Sequence, residues 1–203
     1  MKRSVVYVHG KGGNAAEAEH YRALFSGWEI IGFDYRAGTP WEAREEFPPF
    51  FDEVRRKYGA APLLIANSIG AFFSMSSLSQ EQVDRALFIS PIVDMERLIT
   101  DMMGWANVTE EELRARGEIP TVFGETLSFA YLTYVRQHPL QWTAPTRILY
   151  GEHDTLTAPG TITAFAGRIG APLTNMPGGE HWFHTEEQMH FLDDWVRASV
   201  GAD

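Results

Sequence analysis

Six short apolar runs, at residues 4–8, 28–33, 63–67, 86–90, 146–150 and 172–176, constrain the fold of this chain more than any other feature. They are close to continuously apolar instead of alternating, which is the pattern of strands covered on both faces. Segments of helical character lie between them, clearest at 15–25, 41–58, 69–78, 161–170 and 186–200. In the last of these, Met189, Leu192, Trp195 and Val196 recur at spacings of three and four with charged residues opposite, an amphipathic stripe. Strands alternating with helices predict a three-layer, doubly wound α/β architecture with a parallel six-stranded sheet. Ligands of such sheets bind beyond the carboxyl ends of the strands. The residues that follow each strand therefore say most about function.

One interval breaks the alternation. Between Pro91 and Thr143, about fifty residues carry no strand pattern. They contain helical stretches at 95–103, 109–116 and 127–137, and Thr109 with Glu112 reads as a capping box. A long connection with helices of its own is usually functional, and this one is expected to be a helical cap inserted at about 91–143. Its aromatic residues Trp105, Phe123, Phe129, Tyr131 and Tyr134 suit packing of the cap or an apolar pocket. No repeat or linker divides the chain, so a single domain over 1–203 is expected, and a hydrophobic fraction of 44% supplies its core.

Composition removes several classes of function. The chain has no cysteine, which excludes disulfides, thiolate nucleophiles and cysteine-based zinc sites. A formal net charge of −10 argues against nucleic acid as a partner, because phosphate binding relies on a basic surface. The apolar runs are too short to span a bilayer. Lys2 and Arg3 precede a run that stops at His9, shorter than a secretory signal requires. A cytoplasmic location without membrane association is the expectation, and nothing in the sequence specifies an oligomeric state.

Four of the strand ends carry groups suited to chemistry. The third run leads through Ala66-Asn67-Ser68-Ile69-Gly70 directly into a helix, placing a serine between small residues two positions away on either side. Serine is also a good helix N-cap, which is the plainer reading of Ser68. The first run ends in His9-Gly10-Lys11-Gly12-Gly13-Asn14. The fifth ends in Gly151-Glu152-His153-Asp154, and the sixth leads to Gly178-Gly179-Glu180-His181-Trp182-Phe183-His184. An unperturbed histidine titrates at about 6.5 and can accept a serine proton near neutral pH.

Taken together, these motifs resemble the α/β-hydrolases, over nearly the whole chain from Ser4 to Val200. The small-x-Ser-x-Gly element resembles the nucleophile elbow, with Ala66 in place of the commoner glycine. The resemblance implies Ser68 as nucleophile, His181 as general base and an acid at Asp154, in the chain order serine, acid, histidine. Asp94, after the preceding strand, is a second candidate for the acid. The His9-Gly10 loop implies an oxyanion hole made by the backbone amides of Lys11 and Ile69. His9 itself reads as a residue that shapes the loop, Glu152 and His153 as bystanders in a turn, and His184 as a loop histidine or a pocket wall. The usual first antiparallel hairpin is missing, which leaves the sheet at six strands.

The function implied is hydrolysis of a small-molecule ester, thioester or amide through an acyl-enzyme, without metal or organic cofactor. Two other readings compete. Gly10-x-Gly12-x-x-Ala15 with Asp34 after the second run fits a dinucleotide-binding fingerprint, and hence an oxidoreductase. The same fold without catalysis would serve as a binding protein.

Overall fold

The computed structural model describes residues 2–201. Strands β1 (Ser4–Val8), β2 (Glu29–Phe33), β3 (Leu63–Asn67), β4 (Arg85–Ile89), β7 (Thr146–Gly151) and β8 (Leu173–Met176) form one sheet, in the order β2-β1-β3-β4-β7-β8. A separate two-stranded sheet joins β5 (Glu118–Pro120) and β6 (Thr126–Ser128). Every pairing in the large sheet is parallel. Val5, Val6 and Val8 of β1, and Leu64, Ile65 and Ala66 of β3, have no solvent exposure, because both faces are covered. Each fully buried Val, Leu or Ile contributes about 1.5–3 kcal/mol, so these central strands dominate stability.

The chain leaves β1 for one neighbour, β2, and builds outward from β3 on the other side. The switch point of the winding thus lies between β1 and β3, where ligands of open α/β sheets bind. In the dinucleotide-binding order the first strand lies between the second and fourth strands, so this sheet has a different topology. Asp34, the fingerprint's candidate ribose ligand, is a solvent-exposed residue just beyond β2.

The helices follow their terminal signals. Helix α1 (Pro40–Tyr58) starts on Thr39 as N-cap with proline at its first position, and stops at Gly59, whose φ of 80° suits a residue without Cβ. It packs on α2 (Ser68–Ser77). Helix α7 (Glu186–Val200) begins with the reciprocal Thr185–Gln188 capping box and places Leu192, Trp195 and Val196 in a core cluster with Tyr21, Phe25, Leu63 and Ile65. Helix α6 (Pro159–Ile169) ends at Gly170 in the left-handed region. Of residues 15–25, expected to be helical, Ala15–Leu24 wind as a 3-10 segment, which sets the Ala15 carbonyl directly over Gly32 of β2. Any side chain at position 32 would collide with that carbonyl.

Two compact units are present, one made of residues 2–93 and 141–201 and the other of Asp94–Leu140. The smaller unit holds α3 (Met95–Trp105), α4 (Glu110–Arg116), the β5–β6 hairpin and α5 (Phe129–Gln137). Arg136 bonds Glu96 at 2.7 Å and Glu110 at 2.7 and 2.9 Å, tying its three helices together. The Thr109–Glu112 capping box is formed.

The hairpin is a correction to the strand-free interval expected between 91 and 143. Its strands have three residues each and only Ile119 and Leu127 turn inward, too few for a two-residue period to register. Helix α5 accordingly starts two residues later than the pattern suggested, with Ser128 as N-cap. Trp105 and Phe123 remain 55% and 41% exposed and meet edge to face at 6.1 Å. Among the described residues, no helix is long and apolar enough to cross a membrane.

Candidate active site

At the end of β3 the backbone turns sharply into α2. Asn67 is extended, with φ −102° and ψ 137°, and Ser68 has φ 49°, in the left-handed region. That conformation costs a residue with a Cβ about 1–2 kcal/mol, and such strain collects at functional sites. The turn is forced by its neighbours. A Cβ at Gly70 would strike the His9 carbonyl, and Ala66 is fully buried. Ser68 therefore stands at the positive end of α2, at the carboxyl edge of the sheet.

Asp154 lies three residues beyond the end of β7, in a turn closed by its amide on the Gly151 carbonyl at 3.0 Å. Its side chain has no solvent exposure. One oxygen accepts the amides of Leu156 at 2.8 Å and Thr157 at 3.0 Å. The other lies 2.7 Å from His181 Nδ1. Gly151 is a requirement here, since a Cβ would stand 2.6 Å from the Gly179 carbonyl oxygen. The His153 amide donates to that same carbonyl at 2.7 Å, and Glu152 Oε2 accepts the Gly178 amide at 2.8 Å. Glu152 is exposed, as expected of a turn residue, and it ties the loop of Asp154 to the loop that leads to His181.

His181 Nε2 is 2.8 Å from Ser68 Oγ. The direction of the relay follows from the donor inventory. An ionised carboxylate only accepts, so His181 Nδ1 carries the proton given to Asp154, and Nε2 is left to accept the Ser68 hydroxyl proton. Three side chains from the ends of β3, β7 and β8 thus form one directed chain of hydrogen bonds. Asp94, by contrast, accepts the Arg97 amide at 2.9 Å as N-cap of α3. His184 stacks on Trp182 at 4.6 Å and places Nδ1 2.8 Å from the Trp182 carbonyl.

The loop after β1 runs against Ser68. A Cβ at Gly10 would stand 3.3 Å from Ser68 Cβ, so the backbone passes close to the hydroxyl. His9 stacks on Tyr35 at 4.3 Å, and its carbonyl accepts the Tyr35 hydroxyl at 2.8 Å, which fixes where the loop begins. The Ile69 amide belongs to the first turn of α2, whose donors have no partner within the helix.

A cavity of about 580 Å³ opens at this point. Ser68, His181, Asn67 and Lys11 line it together with Tyr7, Glu17, His20 and Tyr21 and with the apolar Ile89, Leu156, Phe183, Met189 and Leu192. That volume lies within the usual range of small-molecule pockets.

No family model matches the chain, and no curated protein matches it in sequence. Solved structures do resemble it. Alpha/beta hydrolase domain-containing protein 10 from mouse is 18% identical at a TM-score of 0.74, covering 97% of this chain and 89% of its own. Est1E from Butyrivibrio proteoclasticus is 15% identical at a TM-score of 0.75, covering 98% and 87%. A monoacylglycerol lipase from Paleococcus ferrophilus is 15% identical at a TM-score of 0.64, covering 96% and 94%. This chain has the α/β-hydrolase fold.

Proposed function

We propose that the chain is a serine hydrolase of carboxylesterase type that cleaves an ester, thioester or amide of a small molecule through an acyl-enzyme. The fold by itself does not select a chemistry, and the reading rests on the site. The observation that carries it is the directed relay from Ser68 Oγ through His181 to the buried Asp154, opening on a cavity.

In this mechanism His181 Nε2 takes the Ser68 proton as Oγ attacks the carbonyl carbon. The C=O pair of electrons moves onto oxygen, and the amides of Lys11 and Ile69 stabilise that oxyanion. Asp154 stabilises the imidazolium and holds its ring plane. Collapse of the tetrahedral species expels the leaving group, which takes its proton from His181, and leaves Ser68 acylated. Water, deprotonated by His181, then attacks the ester bond, and the acid departs as Ser68 regains its proton. The apolar wall of Ile89, Leu156, Phe183, Met189 and Leu192 suits the acyl group.

A panel of p-nitrophenyl esters from acetyl to dodecanoyl tests this reading. Hydrolysis is expected, with kcat/KM peaking at short to medium chains and falling for chains that exceed a cavity of about 580 Å³. Absence of hydrolysis across the panel, with thioester and anilide analogues included, contradicts it.

A further inference from the structure

A second hydrogen-bonded chain, Asn67–Tyr7–Glu17, lies beside the Ser68 relay and links the two segments on which an oxyanion hole depends. Tyr7 sits on β1 with 1% of its surface exposed, in the apolar cluster beneath the 3-10 segment. Its hydroxyl lies 2.5 Å from Glu17 Oε2 and 3.0 Å from Asn67 Nδ2. The direction of both bonds is forced. Burial, reinforced by nearby Tyr21 and Glu17, holds the Tyr7 phenol far above the ordinary tyrosine range, so it keeps its proton. A carboxylate only accepts, so Tyr7 donates to Glu17 and its lone pair receives the Asn67 amide.

The other oxygen of Glu17 accepts the Asn14 amide at 3.1 Å, and the carboxylate lies over Gly13, where a Cβ would stand 2.8 Å from Oε1. Glu17 therefore grips the loop at residues 13 and 14 with one end. With the other, through Tyr7, it grips Asn67, the residue immediately before Ser68. A capping box accounts for the Asn14–Glu17 bond alone. It gives no reason for a hydroxyl in an apolar strand, where phenylalanine would pack as well without a polar group to satisfy.

We propose that Tyr7 and Glu17 are positioning residues, holding the 10–14 loop and its Lys11 amide in register with Ser68 for stabilisation of the oxyanion. This deepens the serine hydrolase reading and rests on it. Both residues also line the cavity beside Ser68, but their hydrogen bonds run to Asn67 and Asn14 and none to Ser68 or His181. They act by fixing where a donor stands, and removal of an oxyanion donor outright costs about 10²–10³ in rate.

The test uses Tyr7→Phe, Glu17→Ala, Glu17→Gln and the double variant Tyr7→Phe/Glu17→Ala. Active sites are counted by the end point of fluorophosphonate labelling, so that kcat is expressed per competent site. Affinity for an aryl trifluoromethyl ketone reports the oxyanion hole directly, because its adduct carries the oxyanion. In Tyr7→Phe, kcat per site is expected to fall about tenfold or more, the ketone Ki to rise by the same factor and KM to stay within about twofold. Glu17→Ala should match it, and Glu17→Gln, which retains an acceptor, should recover most of the loss. The double variant should be no worse than the worse single one, because both break the same chain.

Wild-type kcat per site and Ki in Tyr7→Phe overturn the proposal, even where the melting temperature falls. Two effects that multiply to about a hundredfold in the double variant also overturn it. Should Tyr7→Phe not fold, the comparison of Glu17→Ala with Glu17→Gln decides alone, and equal, wild-type kcat per site in both overturns the proposal. A wild-type protein that neither hydrolyses esters nor labels at Ser68 overturns the hydrolase reading and this proposal with it. Active wild type with unperturbed variants overturns this proposal only.

Discussion

Ser68→Ala is expected to lower kcat for p-nitrophenyl acetate by about 10⁴-fold or more, with the circular dichroism spectrum unchanged and the melting temperature within a few degrees of wild type. The size of the effect follows from what the hydroxyl does. It is the attacking atom and the donor of the proton that His181 accepts, so its loss removes the covalent path and leaves only a bound ester near a histidine. The fold survives because the change deletes one oxygen at the edge of a cavity and leaves intact the turn enforced by Ala66 and Gly70. Activity close to wild type in pure Ser68→Ala protein contradicts the nucleophile assignment.

Asp154→Asn is expected to cost about 10³–10⁴ in kcat with little change in KM. An asparagine retains an oxygen for the Leu156 and Thr157 amides, so the turn persists. Its amide nitrogen then faces His181 Nδ1 as a donor, which forces the ring proton onto Nε2 and leaves no lone pair for the Ser68 hydroxyl. The base is present but in the wrong tautomer. Asp94→Asn is the matched control. Its side chain still caps α3 on the Arg97 amide, and kcat should be unchanged. A collapse in Asp94→Asn with an active Asp154→Asn would move the acid to the end of β4.

The sheet was legible because burial on both faces leaves each strand a nearly unbroken apolar run, so the ends at Val8, Asn67, Gly151 and Met176 could be located closely. The positions of Ser68, Asp154 and His181 were legible for a related reason. Each follows a strand end within a few residues and is flanked by small residues whose lack of bulk the turn requires, as at Gly70 and Gly151.

What escaped the sequence reading lacks a periodic signature. The β5–β6 hairpin has one inward residue per strand. The 3-10 winding of 15–24 places its buried residues, Ala18 and Tyr21, three apart, a spacing that an α-helix also allows. Tyr7 sits in a run of valines and reads as core packing, while Glu17 lies ten residues on and reads as a solvated charge. Their bond exists only because β1 and the segment after it fold back on each other. The bond from the Gly178 amide to Glu152 is equally a product of tertiary proximity, across 26 residues.

The most direct test of the nucleophile is to treat the folded protein with a fluorophosphonate and map the modified peptide by mass spectrometry. The account predicts a single adduct on Ser68, formed rapidly in wild type, lost in Ser68→Ala and strongly slowed in His181→Ala. An unlabelled protein, or an adduct on another serine that persists in Ser68→Ala, would contradict it.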